Sequence, residues 1–423
     1  MSRILHAAWR LGVCTLLGTE GLSAQTIAIT GGTVITVSGS RIPNGTVLIR
    51  DSLIVAVGPN VEIPHDAVRI DATGKTVTPG LIAASSQVGV VEIGLGTGTV
   101  ETGVGYPVAA AFNVAEGINP ASTLIPVTRI DGVTSVAVEP QGQFLAGQGV
   151  FMDLSGATLE AMLVRNPSAM YVSLDEASKG AGDGARAATL ERLRRIFLDA
   201  RAWAQRRSDF ERRPMRDLAA PAADLEALQP VLAGRLPLVI TANRVFDIRN
   251  ALRLAREFNL KIILHGAAEG WQMADEIARA GVGVILEPET DVPTFDQLGA
   301  RYSNPAQLAR AGVRLAIVGG GDGDGTVFNT RLIRQEAGNA VATGLDWDAA
   351  LRAVTLSPAE MFGVAERYGS LDAGKIANVV VWSGDPFEFS TGVEHVFIRG
   401  REIPLTSRQT ELLERYRTLP PRW

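Results

Sequence analysis

Short runs of alternating apolar and polar residues occupy both ends of the chain. Residues 26–77 contain several brief strand patterns, separated by turn residues at Gly31-Gly32, Pro43-Asn44-Gly45 and Pro59-Asn60. Period-two alternation between such turn signals is typical of antiparallel strands. Similar short strand patterns occur at residues 378–382 and 395–400. We therefore expect residues 26–79 and 368–405 to pair into one small composite β-sandwich.

Between these ends, strand-length apolar runs alternate with helix-length amphipathic runs. Strands are predicted at residues 236–241, 261–265, 282–286 and 313–318, and helices at 247–258, 268–280, 304–311, 328–343 and 355–362. Repeating units of this length favour a parallel (β/α) barrel. We place the barrel at residues 80–367, followed by a C-terminal tail at 406–423.

A glycine-rich segment, residues 89–156, interrupts this alternation and is interpreted as an insertion after the first barrel strand. Its glycine spacing matches no phosphate-binding loop, because Thr99 stands where a third glycine would be needed and no Gly-Lys-Ser/Thr follows. We expect hairpin or loop material that covers the barrel mouth, with no bound nucleotide.

The first 24 residues have the pattern of a secretory signal peptide. Arg3 and Arg10 precede a short apolar run at 11–17, and Ala24 ends a small-residue cleavage site. This pattern predicts a secreted or periplasmic protein. The alternative is a cytosolic protein whose N-terminal residues only resemble a signal peptide. A lipoprotein signal is disfavoured because bulky Val13 precedes Cys14. No later apolar run reaches the length of about 18 residues that a spanning helix needs, so no membrane span is expected.

The composition of the chain argues against several classes of partner and of binding site. The net charge of −5 gives no general attraction to nucleic acid, and the single cysteine excludes a disulfide framework. An arginine-rich helical run at 185–215 could contact a polyanion, but a solvated outer helix with paired arginines is the favoured interpretation. The chain has four histidines, which limits any histidine-rich metal site.

One stretch carries a family resemblance. It reads Pro79-Gly80-Leu81-Ile82-Ala83-Ala84-Ser85-Ser86-Gln87. This resembles the entry strand of the amidohydrolase superfamily, imidazolonepropionase-like branch, with the pattern Pro-Gly-Leu-Ile-Asp-Ala-His-x-His. In that family the two histidines hold a catalytic metal. Here Ser85 and Gln87 take their places and Ala83 replaces the aspartate.

Two further motifs support the resemblance. Ser357-Pro358-Ala359 matches the family's Asn-Pro-Ala, and residues 369–377 match its return signature into the sandwich, with Asn378 in place of aspartate. The resemblance implies a (β/α)8 TIM-like barrel with a composite β-sandwich. It also implies a hydrolase acting on non-peptide carbon–nitrogen bonds, with zinc or another divalent metal.

The other metal-ligand positions of the family are mostly replaced. Thr241 and Asn243 stand for two histidines, Gly320 stands for an aspartate, and Lys179 lies in a poor context for a bridging lysine. His265 alone keeps the family residue. We therefore expect no metal and no other cofactor. Without a metal to acidify water, a lone side-chain base supplies only about 10²–10⁴ in rate.

Two hypotheses remain open. In the first, the protein is a pseudoenzyme whose mouth binds a small molecule or supports a paired amidohydrolase subunit or a homo-oligomer. The candidate binding residues are the polar side chains expected at the mouth: Ser85, Gln87, Thr241, Asn243, Arg244 and Glu269. In the second, the protein is an active hydrolase whose site is rebuilt around His265 and Asp322.

Each candidate also has a structural interpretation. His265 could be a hydrogen-bonded relic of the family, and Glu269 could serve the N-terminus of the helix that follows it. Asp322 and Asp324 lie in a glycine-rich turn. This turn fails the calcium-loop spacing, because Ile333 stands where a glutamate is needed.

Overall fold

The computed structural model describes residues 25–94, 96–212, 216–288, 293–319 and 330–418. The predicted signal peptide, Gly320, Asp322 and Asp324 lie outside these ranges. The strands, numbered in chain order, are β1 (Thr26–Val34), β2 (Ile42–Arg50), β3 (Leu53–Gly58), β4 (Val68–Asp71), β5 (Thr76–Pro79), β6 (Leu81–Ser86), β7 (Val133–Val138), β8 (Leu145–Asp153), β9 (Leu163–Ser173), β10 (Leu238–Ala242), β11 (Ile262–Gly266), β12 (Gly283–Leu286), β13 (Leu315–Ile317), β14 (Val379–Trp382), β15 (Val393–Ile398) and β16 (Arg401–Glu402).

The helices flank the strands, mainly in the second half of the chain. In chain order they are α1 (Leu124–Arg129), α2 (Leu159–Met162), α3 (Arg186–Arg212), α4 (Ala222–Ala227), α5 (Gln229–Leu232), α6 (Val245–Phe258), α7 (Ala274–Arg279), α8 (Asn304–Arg310), α9 (Ile333–Ala342), α10 (Trp347–Ala353), α11 (Leu356–Met361) and α12 (Arg408–Tyr416). No helix among the described residues combines the length and apolar character needed to cross a membrane.

The two ends of the chain form one sheet structure, in the order β16-β15-β14-β5-β1-β2-β3 with β4 beside β1. β5 and β14 join the N-terminal and C-terminal segments, with Val77 opposite Val381 in antiparallel register. Its core contains the fully buried side chains Ile29, Val47 and Phe397. The predicted composite sandwich is therefore confirmed.

Gly80 marks the passage from the sandwich into the barrel. A Cβ at this position would lie 2.2 Å from the side chain of Thr134, a distance that real contacts do not reach. The Gly80 N–H donates to the carbonyl oxygen of Asn378 (2.9 Å). Only glycine lets the chain pass this close to its neighbours, which explains the Pro-Gly at the start of the entry motif.

The middle of the chain forms a nearly closed eight-stranded barrel, with β6 to β13 in sequential order. The predicted α/β barrel is confirmed, but one strand runs against the expected direction. β8 is antiparallel to both β7 and β9, whereas the other pairs are parallel. Residues 139–144 connect β7 to β8, and they are too few for a parallel crossover, which takes about a dozen residues or more.

The expected insertion at residues 89–156 is wrong for its second half. β7 and β8 lie within this segment, and both are barrel strands. Each is almost fully buried, and its apolar residues face the barrel interior on one side and the helices on the other. β8 contains Gly147 and Gly149, and glycine is uncommon inside strands. β7 contains no glycine, but it lies in the same glycine-rich segment and was interpreted together with it.

Alternation along the barrel strands defines the interior. Ala137, Tyr171, Val239, Ile263 and Ile285 belong to the cluster inside the barrel, while their chain neighbours pack outward against the helices. Side chains two residues further along then point the same way. The polar residues that follow these positions, at the carboxyl ends of the parallel strands, form the barrel mouth.

A buried polar network fixes the opposite end of the barrel to the sandwich. Asp153 is fully buried and accepts hydrogen bonds from Ser135 (2.7 Å), Asn378 (3.0 Å), Tyr368 (3.0 Å) and Arg399 (2.5 Å). The carboxylate of this network thus comes from Asp153. The amide of Asn378 can donate a hydrogen bond to Asp153. An aspartate at position 378 could do so only if it were protonated.

Several arginines of α3 pair with carboxylates, as expected for an outer helix. Arg194 lies 2.8 Å from Glu257, and Arg207 lies 3.0 Å from Glu226. Leu193 and Ile196, on the other side of the helix, are fully buried. The apolar stripe therefore packs the helix against the core. Arg194 and Arg207 pair with carboxylates, whereas Arg192 and Arg201 donate to backbone carbonyl oxygens.

Candidate functional site at the barrel mouth

The exit of β6 carries two buried side chains whose polar atoms lack a partner. Ser85 and Gln87 are each 2% exposed, and neither Ser85 Oγ nor Gln87 Nε2 has a hydrogen-bond partner in the described part of the chain. A register shift between Ala83 and Ser86 disturbs the strand alternation here. Ser86 Oγ lies 3.1 Å from Thr330 Oγ1, within the same buried layer. The two replaced family positions therefore offer neutral, unsatisfied groups.

The exit of β10 carries Thr241 and Asn243. Thr241 follows Val239 on the interior side and is paired in register with Ser173 and His265. Asn243 is engaged locally: its Oδ1 accepts from the Ala268 N–H (3.4 Å) and its carbonyl accepts from the Glu269 N–H (2.9 Å). Asn243 therefore holds the exits of β10 and β11 together.

Arg244 and Glu269, the two charged candidates, serve the start of α6. Glu269 Oε2 accepts from the Val245 N–H (2.8 Å), so its carboxylate satisfies the N-terminus of α6 rather than that of the helix after His265. The helix assigned to Glu269 in the sequence analysis was therefore the wrong one. Arg244 Nε lies 3.6 Å from Asp247 Oδ2 within the same helix start. Both side chains thus have structural partners.

His265 lies on the interior side of β11 and faces a carboxylate that sequence reasoning missed. Its Nδ1 is 3.8 Å from Glu139 Oε2, and the two side chains are 20% and 12% exposed. Glu139 follows β7, two residues after Ala137 of the interior cluster. The alternation of Ser135, Ala137 and Glu139 was the available signal, but the segment was interpreted as an insertion.

Tyr171 is the second residue that sequence reasoning missed. It lies inside the barrel on β9, is 5% exposed, and its hydroxyl has no hydrogen-bond partner among the described residues. Burial raises the pKa of Tyr171 well above its ordinary value, and the charge of Glu139 raises it further. The phenol therefore stays protonated and presents a neutral hydrogen-bond donor.

Arg186 ties three mouth loops together. Its guanidinium donates to Asp247 Oδ2 (2.8 Å) at the start of α6 and to Asp296 Oδ1 in the segment after β12. Asp296 also accepts from the Glu176 N–H (2.7 Å) in the segment after β9. Burial raises the pKa of Asp247, while Arg186 and Arg244 act to lower it. Three of the loops that surround the mouth are therefore held by one ion cluster.

The described residues do not form a metal centre of the family type. Across the described ranges, no three His, Cys, Asp or Glu side chains gather as potential metal ligands. Lys179 lies in a 3₁₀ turn, Ala177–Gly182, beyond the end of β9. Ser85, Gln87, Thr241 and Asn243 supply neutral oxygen or amide groups, which are poor zinc ligands. The donor set of the described residues therefore does not fit a zinc ion held by the family's ligands.

Comparisons with known proteins agree with this architecture. The family model described as "Amidohydrolase family" matches residues 298–403. The protein named amidohydrolase tasK, from Hapsidospora irregularis, is 25% identical over 394 residues, which cover 84% of this chain. The chain spans 39% of the length of that relative.

Solved structures resemble the whole described fold. An amidohydrolase from Thermotoga maritima MSB8 superposes with a TM-score of 0.81 at 26% identity, covering 90% of this chain and all of that one. Molinate hydrolase superposes with a TM-score of 0.57 at 21% identity, covering 90% of this chain and 95% of its own. The second likeness bears on the fold alone.

Proposed function

Because this chain belongs to the amidohydrolase superfamily, we propose that its barrel mouth binds a small neutral molecule without the catalytic metal that the superfamily resemblance implies. One observation carries the proposal. Four family histidine positions hold Ser85, Gln87, Thr241 and Asn243, and the first two are buried with unsatisfied polar atoms.

The chemistry of the mouth favours a ligand with both a hydrogen-bond acceptor and a donor. Gln87 Nε2 and the protonated Tyr171 hydroxyl can each donate, and both lack a partner within the described structure. Leaving such a group buried without a partner costs about 1–3 kcal/mol, so a ligand or an ordered water is expected to satisfy it. Glu139 offers an acceptor nearby. A neutral cyclic amide presents both kinds of group.

A binding experiment tests this proposal. Purified protein is titrated with a panel of lactams and hydantoins by isothermal titration calorimetry, with and without a metal chelator. We expect binding that the chelator leaves unchanged and that Gln87→Leu and Tyr171→Phe both weaken. Binding that disappears with the chelator would contradict the metal-free site. An exposed variant, Asp348→Asn, serves as the control.

The second candidate is a metal-free hydrolase, favoured by the approach of Glu139 to His265. A carboxylate beside an imidazole can orient it as a general base, and such a base contributes about 10²–10⁴ in rate. Asp322, the partner first predicted for His265, lies outside the described residues. Ring opening of the same lactams, followed by liquid chromatography, tests this candidate. Unchanged turnover in His265→Ala would eliminate it.

Export and assembly remain further proposals. We propose that residues 1–24 direct secretion, and that the protein acts with a paired subunit or as a homo-oligomer. The N-terminal sequence of mature protein purified from its host tests the first proposal, with Gln25 as the expected first residue. Light scattering of the purified protein tests the second, and a monomeric mass would contradict a homo-oligomer.

A further inference from the structure

A cavity opens at the end of the barrel opposite the mouth. It has a volume of about 360 Å³ and lies where β10 to β13 begin. Pro237, Lys261, Gly283 and Arg314 contribute to its lining from these strand starts. No residue considered for the barrel mouth lines it. The cavity is therefore separate from the proposed ligand site.

The lining of this cavity is strongly cationic. It contains four basic residues, Arg165, Arg235, Lys261 and Arg314, and one acidic residue, Glu360. The whole chain carries a net charge of −5, so this concentration of positive charge is local. Concave surfaces lined by one sign of charge concentrate ions of the opposite sign.

The acidic residue does not balance the cluster. Glu360 Oε2 lies 2.8 Å from Arg314 Nε, and its Oε1 lies 2.6 Å from Arg352 Nη2. The carboxylate is thus already shared by two guanidinium groups. Arg165, Arg235 and Lys261 have no carboxylate partner among the ion pairs of the described residues. Three positive charges therefore face one cavity without a matching negative charge.

One of these three cations is held in place by the backbone. Arg165 Nη1 donates to the Phe362 carbonyl (2.6 Å), and Nη2 donates to the Arg235 carbonyl (3.2 Å). A Cβ on Gly363 would lie 2.2 Å from Arg165 Nη1, so glycine makes room for the guanidinium. Arg165 is half-buried and oriented before any ligand arrives, which lowers the entropic cost of binding.

We propose that this cavity binds a small polyvalent oxyanion, either a phosphate ester or a polycarboxylate. Lys261 and Arg235 are exposed and can close on the anion, while Arg165 forms the fixed wall. Charge-assisted hydrogen bonds from guanidinium and ammonium groups to oxyanions are the strong ones in proteins. Binding here stabilises the folded chain by mass action and leaves the barrel mouth open.

The test uses pyrophosphate and citrate as probes, titrated into the full chain by calorimetry at fixed ionic strength. We expect saturable binding of at least one probe. Binding of pyrophosphate alone identifies phosphate esters as the class, and binding of citrate alone identifies polycarboxylates. Lys261→Gln and Arg235→Gln should each weaken binding about tenfold, since each removes one charge-assisted contact.

Two controls separate this site from general charge and from the mouth. Arg253→Gln removes an exposed arginine of α6 that contacts Asn250, and it should leave the affinity unchanged. His265→Ala alters the mouth and should also leave it unchanged. If neither probe binds, or if Arg253→Gln weakens binding as much as Lys261→Gln does, the proposal is overturned. If lactams and hydantoins fail to bind at the barrel mouth, the proposal of an oxyanion site is unaffected.

Discussion

Glu139 Oε2 lies 3.8 Å from His265 Nδ1, although β7, which Glu139 follows, and β11, which contains His265, are not neighbours in the barrel. Both side chains are largely buried at the carboxyl ends of β7 and β11. This pair is the chemically distinctive feature of the mouth, because it joins the one retained family histidine to a carboxylate.

Glu139→Gln and His265→Ala should each weaken binding of a mouth ligand, and their effects should not add. Residues in direct contact show coupling free energies of about 0.5–3 kcal/mol. A double-mutant cycle by calorimetry measures this coupling. The matched control is the pair His395 and Glu402 in the sandwich, at 2.6 Å, whose variants should leave binding unchanged. Additive effects of the Glu139 and His265 variants would contradict direct coupling at the mouth.

Two buried tyrosines should respond differently to loss of their hydroxyl groups. The Tyr368 hydroxyl donates to Asp153 (3.0 Å), so Tyr368→Phe should lower the free energy of unfolding by about 1.5–3 kcal/mol. The Tyr171 hydroxyl has no partner in the described structure, so Tyr171→Phe should be neutral or stabilising. Urea denaturation of the ligand-free protein compares them. Equal losses of stability would show that the Tyr171 hydroxyl has a partner.

The Arg186 ion cluster should be important for the order of the mouth loops. Arg186→Met leaves Asp247 and Asp296 buried without their shared cation, which should cost about 3–5 kcal/mol. Hydrogen exchange should increase at residues 174–185 and 293–303. Arg195→Ala, which breaks the exposed pair with Glu191, should cost about 0.5 kcal/mol and leave this exchange unchanged. Similar exchange in both variants would mean that the cluster does not hold the loops.

Asp199 should make stability depend on pH. Burial acts to raise its pKa, but hydrogen bonds from Arg216 and from the Ala219 N–H outweigh it, so the pKa is lowered overall. A lowered pKa contributes stability above the unfolded value of about 3.9, and this is lost as the pH falls through the folded value. Asp199→Asn should therefore lower the urea midpoint at pH 7, and the difference from wild type should shrink in acid. A constant difference would contradict this assignment.

The framework of the protein could be predicted from sequence because its signals are local. Pro79-Gly80 marks the passage between the two domains, and the period-two strands at both ends predicted their pairing. His265 was correctly expected at a strand exit. These features depend on turn chemistry and alternation, which a single sequence displays directly.

The parts that sequence reasoning missed depend on contacts between distant segments. Glu139 was missed because the glycines around β7 and β8 concealed two barrel strands. Tyr171 was missed because its neighbours in β9 are apolar, so the sequence alone predicts an ordinary core residue at this position. The role of Glu269 was misassigned because its partner, the Val245 N–H, belongs to the preceding helix. Only the folded chain brings these groups together.

The metal content of the purified protein tests the central claim most directly. The chain is dialysed against zinc and then manganese, and bound metal is measured by inductively coupled plasma mass spectrometry. The account predicts no stoichiometric metal, because the described mouth pairs one histidine with one carboxylate among neutral groups. Stoichiometric zinc, manganese or iron that is lost in His265→Ala would contradict it.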